Sequence, residues 1–132
     1  MEDFVTLEIA QKLKEKDFKE ECLCYYVGDD LAYNIESHVV NYQLRFCHNK
    51  YDNIWHRDNV DAPTIAQVLK WLRNEKEIYC LPHFEQGVDL WFFYIAKPQM
   101  GCEFPEYLSE STYNTYEDAA LAGIKYVIDN LI

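Results

Sequence analysis

Residues 61–96 read DAPTIAQVLKWLRNEKEIYCLPHFEQGVDLWFFYIA, and the fold turns on a change of period inside that run. From Thr64 onward Ile65, Val68, Leu69 and Leu72 recur at the i, i+3, i+4, i+7 spacing of one helix face. Pro63 suits a helix entry, because it has no N–H to leave unpaired and its φ is already helical. Thr64 and Gln67 have the spacing of a capping box. Lys70, Arg73 and Lys76 gather in the last turns, at the negative end of the helix dipole. A helix is expected over Thr64–Glu75, with Trp71 beside its apolar stripe rather than on it.

After Glu77 the period falls to two. Ile78 to Phe84 reads as a strand in which Pro82 marks an edge or a bulge, Glu85-Gln86-Gly87 as a turn, and Leu90 to Ala96 as the next strand. In the second strand Leu90, Phe92, Tyr94 and Ala96 face one way and Trp91, Phe93 and Ile95 the other. Both sets are apolar, so a sheet with one wet face does not fit, and each side asks for cover. Helices, the segment around Trp55, or another copy of the chain could supply it. Trp55, Trp91, Phe93 and Ile95 are accordingly the expected interface residues.

On the N-terminal side, Thr6 can cap a helix with Ile9, Ala10 and Leu13 as its stripe. Cys22 to Val27 resembles a strand, Gly28-Asp29-Asp30 a tight turn, and Leu31 to Ile35 its hairpin partner. The segment from residue 38 to 60 has short strand-like runs at Val39-Val40 and Tyr42 to Phe46. Asn49, Asp52, Asn53, Asp58 and Asn59 mark it as irregular. On the C-terminal side, Pro98 to Gly101 is a turn and Tyr107 to Tyr113 a strand. A last helix follows, capped by Thr115 and striped with Ala120, Ile124, Val127, Ile128 and Leu131. The expected architecture is a single α+β domain over residues 1–132, an antiparallel sheet of four to five strands with three helices.

Composition narrows the functional classes. Of the 132 residues 49% are hydrophobic and 16% aromatic, which places the chain among globular proteins rather than disordered ones. The net charge of −11 argues against direct nucleic-acid binding, which needs clustered Lys and Arg. No run reaches the ~18 apolar residues of a membrane span. The first residues lack a basic region and an apolar run, and five cysteines is an odd number, so a cytoplasmic location with reduced thiols is expected.

Cysteine and histidine offer one candidate site. Cys47-His48 lies in the irregular segment and Cys80 precedes His83 by three positions, with His56 a further possible member. Zinc needs four such ligands converging at roughly 2.0–2.3 Å. Cys80 and His83 would point to opposite faces of a regular strand, so buried thiols behaving as small apolar groups are the favoured reading over a metal site or a Cys–His nucleophile. No cofactor is expected. Ser109 and Ser111 lack a nucleophile elbow, and the four glycines are too scattered for a phosphate loop.

The run from Asp61 to Arg73, the aromatic strand around Trp91, and Tyr116-Glu117-Asp118-Ala119 opening a terminal helix together resemble small uncharacterised proteins of gut Bacteroidales genomes and their phages and mobile elements. The resemblance covers about residues 60–132. It implies an origin and element boundaries, and it transfers no functional residue. From Glu77 to the end nine acids face two lysines, −7 of the net charge. A solubilising surface is the plain reading of that excess. The sharper one is a surface that imitates nucleic-acid phosphates for a basic protein partner. The expected function is that of a small acidic accessory protein, non-enzymatic, working by protein–protein contact or self-association as a homodimer. A small enzyme or metal-binding protein with a Cys/His site is the alternative.

Overall fold

The computed structural model describes residues 3–33, 60–97 and 107–132, and every structural statement here concerns those residues. Trp55, Cys47, His48 and His56, the strand-like runs between residues 39 and 46, and the turn at 98–101 lie outside them. The chain divides into two compact units, Glu2–Thr64 and Ile65–Ile132.

In the first unit, α1 (Leu7–Glu15) starts where Thr6 accepts a hydrogen bond from the Ile9 N–H at 3.3 Å, and it buries Ile9, Ala10 and Leu13 as expected. It ends on Asp17 in the left-handed region, φ 63°. The Phe18 N–H then returns to Leu13 O at 3.1 Å and the Asp17 N–H to Lys14 O at 3.4 Å, a Schellman closure made without glycine. β1 (Cys24–Val27) and β2 (Asp30–Tyr33) form a hairpin joined by Gly28 and Asp29. Gly28 at φ +61° takes the first central position, where the strand twist demands a positive φ. β3 (Val60–Ala62) pairs antiparallel with the other side of β1, giving the order β2-β1-β3. Cys24 opposes Ala62 and Tyr26 opposes Val60, which puts all four on one face. α1 packs on β3, and the Tyr26 hydroxyl donates to Val5 O at 2.6 Å.

In the second unit, α2 (Ile65–Glu75) buries Ile65, Val68, Leu69 and Leu72 as its spacing requires. Trp71 corrects the expectation: it is only 6% exposed, and Lys76 Nζ lies 5.3 Å from its ring. A broad apolar stripe, not a narrow seam, faces the core. Glu77, at φ 56°, reverses the chain, with the Ile78 N–H donating to Leu72 O at 3.0 Å. β4 (Tyr79–Glu85), β5 (Leu90–Ala96) and β6 (Tyr107–Leu108) form an antiparallel sheet in that order. α3 (Tyr116–Asn130) is capped by Thr115, which accepts from the Asp118 N–H at 3.1 Å. It packs on β4 and β5, while α2 packs on α3 and β4.

The α+β class and the three helices are thus as expected among the described residues, but the sheet is not. Instead of one sheet of four to five strands there are two of three. Val60–Ala62, where the irregular segment meets the stretch from Asp61, pairs with distant β1 and completes the first hairpin as a third strand. No helix of the described residues is long and apolar enough to cross a membrane.

Candidate functional site

Register decides what each face of the β4–β5–β6 sheet carries. Residues directly opposite in an antiparallel pair share a face. Cys80, Pro82 and Phe84 oppose Ile95, Phe93 and Trp91, with Tyr107 opposite Ile95. α3 packs on that face and buries Cys80, Phe93 and Ile95, while Pro82, Trp91 and Tyr107 are half-buried and Phe84, at the strand tip, is 37% exposed. At Gly123 a Cβ would fall onto Cys80 Sγ and lie 3.1 Å from Cγ of Phe93, so helix and sheet meet there with room for hydrogen only. Phe93 is 3% exposed and Ile95 0%. Around Phe93 stand Tyr107, Tyr113 and Tyr126 at centroid distances of 5.9, 6.2 and 6.4 Å, and Tyr107 stacks on Tyr126 at 3.8 Å. Trp91, half-buried, meets Tyr116 edge-on at 5.5 Å.

The opposite face is built from Tyr79, Leu81 and His83 of β4, Leu90, Phe92, Tyr94 and Ala96 of β5, and Leu108 of β6. Not one of these eight side chains is buried. Tyr79 is 37% and Leu108 55% exposed. His83 sits among them, its ring centroid 5.1 Å from Phe92 and 6.4 Å from Tyr94. This face carries the apolar surface that the strand alternation says must be covered.

Of the residues expected at an interface, Trp91, Phe93 and Ile95 are described and Trp55 is not. Trp91, Phe93 and Ile95 do share a face, but α3 lies on it, and Phe93 and Ile95 are core residues. The alternation was legible in the sequence; which side the terminal helix would choose was not. Gly123, which the expected stripe did not name although it falls between Ala120 and Val127 on the same side of the helix, is where helix and sheet come closest.

Cys80 and His83 are not brought together. Cys80 lies under α3 and His83 on the opposite face, as strand alternation demands. Burial pushes the Cys80 thiol up to about 12. Burial raises the Cys22 thiol further still, helped by the nearby negative charge of Asp61, and its S–H donates to Glu20 O at 3.4 Å. Cys22, Cys24 and Cys80 are buried free thiols, and a thiol held protonated is a poor nucleophile. Among the described residues no three His, Cys, Asp or Glu side chains are grouped to hold a metal ion. A shallow, open hollow at the β4–β5 tip is lined by Pro82 to Gln86 and Trp91.

Comparison with protein-family models, with curated proteins and with solved structures found no match to this chain.

Proposed function

We propose that this protein is an accessory protein that acts by protein–protein contact, and that the contact surface is the face formed by Tyr79, Leu81, His83, Phe92, Tyr94 and Leu108. The observation that carries this reading is the asymmetry of one sheet. Its two faces are equally apolar in sequence, yet α3 buries Cys80, Phe93 and Ile95 on one, leaving Phe84 exposed at its tip, while the other holds only half-buried and exposed residues. Apolar patches beyond a few hundred Å² are uncommon on proteins without a partner, and they mark interaction surfaces. Aromatic side chains with few rotamers are also efficient anchors, since ordering them costs little entropy. Among the described residues, Cys22 and Cys80 are buried thiols held protonated and lend no support to a Cys-based catalyst.

The test is photocrosslinking in the producing cell, with p-benzoylphenylalanine placed at Phe92 and, as a control, at exposed Lys125 on α3. A discrete protein adduct from position 92 that is missing from position 125 is the expected result. An adduct of twice the chain's mass identifies self-association, and any other mass a different protein. Identical adduct patterns from both positions would remove the face from consideration.

A further inference from the structure

We infer that the occupant of this face is a basic amphipathic helix of another protein, seated across β4 and β5; this rests on the contact reading above. Dimensions come first. The seven-residue strands β4 and β5 run about 23 Å, and three strands at ~4.8 Å spacing put β4 and β6 about 10 Å apart. One helix about 10 Å across and roughly 14 residues long fills that area. Addition of a strand at the edges is less suited. Pro82 interrupts the donor row of edge strand β4, and β6 is two residues long.

Charge chooses between occupants. The residues at the ends of the three strands form the rim of the face: Glu77 before β4, Glu85 at its end, Asp89 before β5, Lys97 after it, and Glu110 after β6. That is four acids, all exposed, against one half-buried lysine. With a screening length of about 8 Å at physiological salt, charges on the rim are the ones a docked partner feels. A second copy would set two acidic rims and two net charges of −11 against each other. An anionic membrane or a nucleic acid would be repelled in the same way. A helix with leucine-type residues on one side and Lys or Arg flanking them satisfies both the aromatic floor and the acidic rim.

The experiment uses two synthetic 14-residue amphipathic helices with the same leucine face, one carrying lysines and one glutamates on its flanks. Binding to the full chain is read by titration calorimetry, with sedimentation of the chain alone in parallel. The lysine helix is expected to bind at least tenfold tighter than the glutamate helix. Phe92→Ser or the more exposed Leu108→Ser should weaken it at least tenfold with an unchanged far-UV spectrum, and Glu85→Gln with Glu110→Gln at least threefold. Equal binding of both helices, no binding of either, or a dimer in sedimentation overturns the basic-helix inference while leaving a crosslink at position 92 intact. Tight binding of the lysine helix that ignores Phe92→Ser and Leu108→Ser overturns the inference and counts against the face itself.

Discussion

Gly123 and Cys80 show at the residue scale how the helix-covered face is held. Alanine is the better helix former by about 1 kcal/mol, so Gly123→Ala would stabilise an isolated helix. Here the new methyl meets Cys80 Sγ and the Phe93 ring, both buried, and overpacking of that kind costs about 1–3 kcal/mol. The expected outcome in urea unfolding is a net loss of up to about 2 kcal/mol, with a smaller loss in a Cys80→Ala background, where the sulfur is gone. Cys80 also sets a pH dependence. Its folded pKa, about 12, stands above its ordinary 9.0 because burial disfavours the thiolate. The unfolded chain therefore releases the proton first as pH rises, so the contribution is fully present below pH 9 and is lost as pH climbs through 12. Cys22, Tyr26 and Tyr113 are raised in the same direction, each chiefly by burial. Thermal unfolding should show a falling midpoint from about pH 9 upward, less steep in Cys80→Ala.

Among the elements, legibility followed periodicity and capping. α1, α2 and α3 were readable because their apolar spacings, with Thr6 and Thr115 as caps, are local signals that tertiary structure left in place. β5 was readable to its ends, since seven apolar residues between Asp89 and Lys97 admit little else. β3 escaped because three residues carry too little pattern to stand out, and its existence depends on pairing with distant β1. For the same reason the number of sheets was not legible: strand partnership is long-range, and alternation says only which residues share a face. Trp71 was misplaced since a helix packed on both β4 and α3 needs a wider apolar sector than the i, i+3, i+4 minimum. The end of α2 at Glu75 was legible from the change of period, but the left-handed residues Asp17 and Glu77 gave no sign in sequence, because such closures usually announce themselves by glycine.

For the molecule as a whole, the candidate site was half legible. That β4 and β5 carry apolar residues on both sides followed from the sequence, and so did the need for cover. Which side α3 packs on is set by contacts between elements some forty residues apart. Charge was legible in total but not in place. Only the strand ends of the folded sheet turn a diffuse −11 into an acidic rim around an aromatic floor. Everything proposed about function rests on the assignment of the two faces. Hydroxyl-radical footprinting of the free protein at neutral pH, with each residue's rate divided by its rate in the unfolded chain, measures that assignment directly. Phe92, Tyr94 and Leu108 are expected to react several-fold faster on this scale than Phe93 and Ile95. Protection of Phe92 and Tyr94 equal to that of Phe93 in the isolated chain would contradict an open face and, with it, the proposed contact surface.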